Sequence, residues 1–241
     1  MLVLPNAWDA ASARVFEAAG FPAIATTSAG VARALGYEDH EGAPMAEMLA
    51  AATRIIRAVS VPVTVDFEAG YGLAPGEIAE RLIGAGAAGF NFEDTDHRGD
   101  GPMVDAGRQS ERIAAIKDAC RGAGADLVLN ARVDVFIHRR GTPEEQAQEG
   151  LRRAALYREA GADCVYPILL SDEAAIAEFV RAHQVVNVNL RPGGTLTLER
   201  AAALGVRRVT YAASLFSNTI SALQSLTSDL RAKMAGLPSA G

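Results

Sequence analysis

Five times along this chain a helical stretch closes on small residues and glycine and passes straight into a short apolar run. The five phrases are FEAAGFPAIATTSAG, LIGAGAAGFNFEDTD, CRGAGADLVLNARVD, YREAGADCVYPILL and AALGVRRVTYAASL. Glycine after the last helical residue supplies the left-handed cap that ends a helix. An apolar run of about four to six residues without polar alternation reads as a strand covered on both faces. Strands of that kind, separated by helices, pair in parallel through crossovers. The pattern predicts eight strands, near 2–4, 23–27, 62–66, 88–93, 126–131, 163–167, 185–189 and 207–211. Helical patterns lie between them, at 8–19, 44–59, 75–85, 108–122, 143–160, 171–182 and 197–204, with a last helix over 213–236. Eight such units in 241 residues predict an α/β fold, a closed (β/α)8 TIM barrel forming one domain over 1–241. An open doubly wound sheet would carry GxGxxG after its first strand, and the glycines here do not fall in that pattern.

Composition narrows the partners. The chain is 49% hydrophobic and 22% charged with a formal charge of −6, and it has no basic stripe interleaved with aromatics, so nucleic acid is not expected. No apolar run is long enough to cross a bilayer and no basic-apolar leader is present; a cytoplasmic protein is the expectation. Cys120 falls in a helical pattern and Cys164 in a strand, which reads as two isolated thiols.

Chemistry in a barrel sits at the C-terminal ends of the strands. There this chain places Thr26, Thr27 and Ser28; Asp66 and Glu68; Glu93 and Asp94; Asn130, Arg132 and Asp134; Asn187, Asn189 and Arg191; and Tyr211 and Ser214. The opposite ends are nearly uncharged. Asp66 and Glu68, two apart on a strand, point the same way and are costly together unless neutralised. Four carboxylates with one arginine suggest a hard divalent cation beside an anionic ligand. Arg132 suits a substrate carboxylate or phosphonate in a bidentate fork. The turn at Thr27, Ser28, Ala29 and Gly30 suits a further anionic oxygen through its backbone N–H groups. The alternatives are structural: Asp66 and Glu93 paired with Arg132 in a network, Thr27 and Ser28 capping a helix, and Asp134 capping another.

The phrases PNAWDAASARVFEAAGF, TTSAGVARALGYED, PVTVDFEAGYG, GFNFEDTD, NARVDVF, AGADCVY and VVNVN, in this order, resemble the isocitrate lyase/phosphoenolpyruvate mutase superfamily over nearly the whole chain. The likeness is to its carboxyvinyl-carboxyphosphonate phosphorylmutase-like and methylisocitrate lyase-like members. It implies a barrel that binds Mg2+, with Mn2+ as an alternative, and a 2-oxo acid such as pyruvate or its enolate. It also implies a homo-oligomer, dimer or tetramer, with the C-terminal helix packed on a neighbouring subunit. By the resemblance, Asp66, Glu68 and Glu93 are the metal-site acids, Glu68 standing where Asp is usual. Asp39 is a further acid near the metal. Thr27, Ser28 and Ala29 hold the substrate carboxylate, Arg132 and Asp66 bind substrate, Asn187 lies near it, and Trp8 falls on an aromatic position after the first strand.

The chain also departs from that pattern. Lyases that cleave isocitrate or methylisocitrate carry a Lys-x-Cys-Gly-His-like loop after the fourth strand, whose Cys protonates the product. Here the loop reads EDTDHRGDGPMVDAGRQS, without that lysine or cysteine, and without the Lys and Asn of the phosphonate-rearranging members. His97 is the expected proton donor or relay in their place. Where many relatives have Glu after the sixth strand, this chain has Tyr166-Pro167. The expected function is a Mg2+-dependent carbon–carbon lyase on a small 2-oxo or 2-hydroxy di- or tricarboxylic acid, closer to an oxaloacetate decarboxylase than to isocitrate lyase. The alternatives are a phosphonopyruvate hydrolase or other C–P bond enzyme, and a non-catalytic 2-oxo acid binding protein.

Overall fold

The computed structural model of the protein describes residues 1–99 and 102–235. Nine strands alternate with ten helices among them. The strands are β1 (Leu2–Leu4), β2 (Asn6–Ala7), β3 (Ile24–Thr26), β4 (Val63–Asp66), β5 (Gly89–Glu93), β6 (Val128–Val133), β7 (Cys164–Pro167), β8 (Asn187–Asn189) and β9 (Arg208–Thr210). The helices are α1 (Ala10–Ala18), α2 (Ser28–Leu35), α3 (Met45–Ala58), α4 (Pro75–Ala85), α5 (Ala106–Gly122), α6 (Val135–His138), α7 (Pro143–Glu159), α8 (Glu173–His183), α9 (Leu198–Ala203) and α10 (Ser214–Ala235).

Every strand pairing is parallel, in the orders β2-β3-β4-β5-β6-β7 and β1-β9-β8. A bridge between Val165 and Val186 joins β7 to β8. The other seam lies at Pro5, between β1 and β2. Proline has no N–H to donate, so the first stave divides there. Its carbonyl still accepts from Ala25 N at 3.0 Å. Eight staves therefore close the barrel, the first made of two short strands.

The outward-facing side chains Val63, Val65, Phe90, Phe92, Leu129, Ala131, Val165, Val188 and Val209 form one core with the helices. Arg112 of α5 lies 4.6 Å over the Phe92 ring, which fixes that face as the outer one. By the alternation of a strand, the inner face carries Thr64, Asn91, Asn130, Cys164, Asn187, Arg208 and Thr210, all buried. Barrel interiors are ordinarily filled by branched apolar residues, so this one is polar well below its mouth.

Helix starts follow the sequence. Asp9 caps α1 with a reciprocal bond to Ser12, and Asp105, Thr142, Asp172 and Thr197 cap α5, α7, α8 and α9. Gly86 ends α4 at φ +81°, a conformation that costs other residues strain. Two helices lie outside the predicted helical patterns: α2, capped by Thr27 as the alternative reading of that turn expected, and the single turn α6. The C-terminal helix expected over 213–236 is observed as Ser214–Ala235, and residue 236 lies outside the described residues. Cys120 and Cys164 are both buried and free. No described helix is long and apolar enough to cross a membrane.

Candidate active site

The ends of β3 to β6 bring the charged residues together. Asp66 ends β4. Its Oδ2 accepts from Ser28 N at 3.1 Å and Ser28 Oγ at 2.9 Å, and its Oδ1 from Asn91 Nδ2 at 3.4 Å. Asn91 in turn accepts from Asn130 at 2.8 Å. Ser28 is the first residue of α2 and spends both donors on Asp66, while Thr27 caps the helix toward Gly30 N at 3.4 Å. Ala29 is buried behind them.

Glu68 does not point with Asp66. The strand ends at Asp66 and Glu68 has φ +49°, so the alternation expected of residues two apart is broken. Its carboxylate accepts from Glu41 N at 2.7 Å and from the Tyr71 hydroxyl. Burial pushes Glu68 up to about 7, with Tyr71 and Glu41 pulling down and the charges of Asp66 and Asp39 pushing up. That influence places half-buried Asp39 in the same field.

Glu93 ends β5 and is 1% exposed. Its Oε1 lies 2.5 Å from His97 Nε2 and its Oε2 lies 2.5 Å from Arg132 Nη1. The Arg132 contact is off the hydrogen-bonding direction, so Oε2 is an ion-paired oxygen with no hydrogen bond. Burial raises the Glu93 carboxyl, with Arg132 opposing and Asp134 reinforcing. Burial pulls His97 down, but its bond to Glu93 and that carboxylate's charge outweigh it, and the net shift is upward.

Arg132 is clamped side-on by Asp134, through Nε at 2.6 Å and Nη2 at 2.8 Å. Asp134 stands at the start of α6 but makes no side-chain cap bond. Its carboxylate also takes Thr95 Oγ1 at 2.5 Å, and its N–H donates to Asp94 Oδ1 at 2.8 Å. Asp94 is held by Tyr157 Oη at 2.7 Å and Arg153 Nη1 at 3.1 Å, both from α7. A relay of buried groups thus runs from α7 to the guanidinium. A guanidinium has five N–H groups. Asp134 takes two and Glu93 faces one, so one N–H on each terminal nitrogen is left for a ligand.

Two further expected residues, Asn187 and Trp8, are held by partners within the protein. Asn187 is buried and bonds Thr210 Oγ1 at 3.2 Å, within the barrel. Trp8 packs edge-on against Phe216 at 5.4 Å and Phe16 at 6.4 Å, so its ring is engaged in an aromatic cluster. Several groups at the mouth went unread in the sequence. Glu41 accepts from Tyr71 N at 2.6 Å and pairs with Arg98 at 3.0 Å. The His40 ring lies 5.7 Å from that of His97, tilted by 42°. Together they tie the loop before α3 to the loop after β5. Gly72 makes room there, since a Cβ would come within 2.8 Å of Arg98 Nη1. Backbone strain gathers on this face: His40, Glu41, Glu68, Tyr71, Arg139, Leu169 and Ala212 all have positive φ and lie in loops at the mouth.

Whether these residues fit a divalent cation turns on charge and donor type. At this end of the barrel the carboxylates Glu68, Glu93, Asp94 and Asp134 are buried and Asp66 is half-buried, against two buried guanidiniums, Arg132 and Arg153. All are hard oxygen donors, and Glu93 Oε2 has no hydrogen bond. Among the described residues no three His, Cys, Asp or Glu side chains converge as a complete ligand cage. Mg2+ does not require one, since it keeps several waters and takes one or two carboxylates. The donor set fits such an ion.

Comparison with known proteins adds four findings. The family profile described as phosphoenolpyruvate phosphomutase matches residues 1–231. An uncharacterized protein of Mycobacterium tuberculosis is 34% identical over 220 residues, covering 89% of this chain and 81% of that one. Among solved structures, a Burkholderia cenocepacia J2315 protein provisionally named a phosphonomutase superposes with TM-score 0.88 at 39% identity, covering 94% of this chain and 93% of that one. An oxaloacetate acetylhydrolase in complex with its product oxalate superposes with TM-score 0.85 at 26% identity, covering 96% and 82%.

Proposed function

The chain belongs to the phosphoenolpyruvate phosphomutase family, and from that premise we propose that it is a Mg2+-dependent carbon–carbon lyase acting on a small 2-oxo or 2-hydroxy di- or tricarboxylic acid. One observation carries the reading: at the mouth, four buried carboxylates, Glu68, Glu93, Asp94 and Asp134, face two buried guanidiniums, Arg132 and Arg153. Asp66 would hold the ion directly, and Glu68, Glu93 and Asp39 through water. When bound, Mg2+ or Mn2+ supplies positive charge where the 2-oxo oxygen becomes negative.

The chain's own residues do the rest. Arg132 presents its two remaining N–H groups to the carboxylate beside the 2-oxo carbon, and Asp134 fixes the plane of that fork. The start of α2, at Thr27, Ser28 and Ala29, walls the carboxylate on the β3 side. Asn187 orients the ligand from below. Loss of CO2 from a 2-oxo diacid needs no enzyme base, but the carbon left behind must take up a proton. His97, whose Nε2 lies 2.5 Å from Glu93 Oε1, would supply it. The loop it occupies lacks the lysine and cysteine of the isocitrate-cleaving lyases, which favours oxaloacetate-type cleavage over isocitrate cleavage. The likeness to a protein named a phosphonomutase favours a second reading, cleavage of a C–P bond in phosphonopyruvate. Release of phosphate, rather than of CO2 or acetate, would mark it.

We also propose that α10 packs on a second copy of this chain. Phe216 anchors its first turn against Trp8. Beyond that, Ile220, Leu223, Leu226, Leu230 and Met234 form an exposed stripe at helical spacing. A lone helix is marginal in water, and such a stripe calls for a cover.

The metal reading is tested by Mg2+ titration followed by thermal unfolding. Saturation at 100-fold over Kd adds about 2.7 kcal/mol, or about 5–11 °C for a chain of this length. The D66N variant should show no such rise. An equal rise in both, or none in wild type, would remove the metal site.

A further inference from the structure

The mouth is divided by charge. Acids crowd the ends of β4 and β5. On the opposite side, loops after β6, β7, β8 and β9 frame two adjoining cavities of about 300 and 440 Å3, which share Leu169, Asn189 and Arg191. Among the described residues no Asp or Glu lines either one. Arg191 belongs to both, and Arg139 to the first. Neither arginine takes part in an ion pair among the described residues.

The backbone holds Arg191 in place. It opens a turn in which Pro192 is followed by Gly193 at φ +75°, closed by Gly194 N donating to Arg191 O at 2.8 Å. Proline then glycine at positive φ is the sequence such a turn requires. Arg139 is fixed at φ +48° at the end of α6, its N–H on Val135 O at 3.1 Å. Asn189 Oδ1 accepts from Leu169 N at 2.8 Å, which leaves its amide N–H groups as donors. Arg191 lies two residues beyond Asn189, about 7 Å along the strand direction, within reach of the mouth for a long side chain.

We propose that this groove is a specificity site for the distal carboxylate of a 2-oxo diacid, with Arg191 as its principal cation and Arg139 and Asn189 as supports. The inference rests on the metal-dependent 2-oxo acid reading above and deepens it. One end of the ligand meets Arg132 beside the acids. The other end meets Arg191 across the mouth, where no carboxylate competes. A monocarboxylate such as pyruvate engages only the first end. The groove therefore selects a diacid through differential binding rather than through the reacting atoms.

The test is calorimetric titration of pyruvate and of 2-oxoglutarate, each with saturating Mg2+, into wild type, R191Q, R191K and R140Q. Wild type should bind 2-oxoglutarate at least tenfold more tightly than pyruvate, the scale of one charge-assisted contact. R191Q should lose that preference and leave pyruvate affinity unchanged. R191K should keep part of it. R140Q, on the same loop but outside both cavities, should behave as wild type. If pyruvate binds with Mg2+ but 2-oxoglutarate gains nothing, or if R191Q weakens both ligands alike or neither, the groove is refuted and the metal reading stands. If neither acid binds wild type with Mg2+, the 2-oxo acid reading fails and the groove with it.

Discussion

The clamp on Arg132 can be opened with one isosteric change, Asp134→Asn. Asp134 is fully buried and its two oxygens receive Arg132 Nε at 2.6 Å, Arg132 Nη2 at 2.8 Å and Thr95 Oγ1 at 2.5 Å. An amide keeps one acceptor oxygen and turns an N–H toward another donor, so at least one bond becomes a donor–donor contact. Removing one partner of a buried ion pair costs about 3–5 kcal/mol. Here Glu93 stays 2.5 Å from Arg132 Nη1 and leaves part of the charge compensated. The expected loss is therefore at the low end, about 3 kcal/mol, or about 6–12 °C in Tm for a chain of this length. Urea unfolding followed by far-UV circular dichroism, with thermal unfolding beside it, measures both. The same variant should bind 2-oxo acids more weakly, because the fork loses its fixed plane. A loss under 1 kcal/mol with unchanged ligand affinity would show that Asp134 does not hold the guanidinium, and the relay from α7 would be wrong.

Three further outcomes are expected. Tyr157→Phe removes one of three donors to the buried Asp94 carboxylate and should cost about 1.5–3 kcal/mol, read by urea unfolding; a neutral result would exclude the hydroxyl as a support. Replacing Leu223 and Leu226 together by Glu should convert an oligomer to a monomer in light scattering, and a wild type that is itself monomeric would refute the α10 interface. His183 is lowered by burial and by nearby Arg158, and its Nε2 has no partner. A base whose folded pKa is depressed stabilises above its ordinary value of 6.5 and loses that contribution as pH falls below it. His183→Leu should therefore gain stability relative to wild type as pH drops from neutrality through 6.5, and a pH-independent difference would contradict the burial argument.

The barrel was legible because each helix–glycine–strand phrase states its own local geometry. What the phrases could not show came from single atoms and from contacts between distant loops. The missing N–H of Pro5 divides the first stave without altering the pattern of apolar residues. The α2 segment SAGVARAL is short and made of small residues, so it read either as a turn after the strand or as a helix capped at Thr27 and Ser28, and the second is what forms. Period-two alternation predicted Asp66 and Glu68 on one side, but the strand stops at Asp66 and the positive φ at Glu68 redirects its carboxylate. Asp66, Glu93 and Arg132 were found by their place at strand ends. The Arg132–Asp134 clamp was not, since Asp134 read equally well as a helix cap. Glu41, Tyr71 and Arg98 meet only because two loops fold over one mouth, and nothing in their spacing announces it. Arg208, unread in the sequence, lies in the barrel at 7% exposure with Nε and Nη2 unbonded.

On the proposed function, a divalent ion at Asp66 makes this mouth a carbon–carbon lyase site. This is tested most directly by incubating oxaloacetate with wild type in Mg2+, wild type in EDTA and D66A in Mg2+, and identifying products by mass spectrometry against an enzyme-free control. Cleavage above the control, to pyruvate and CO2 or to oxalate and acetate, is expected in the first sample alone. Undiminished cleavage in EDTA or by D66A would contradict that function.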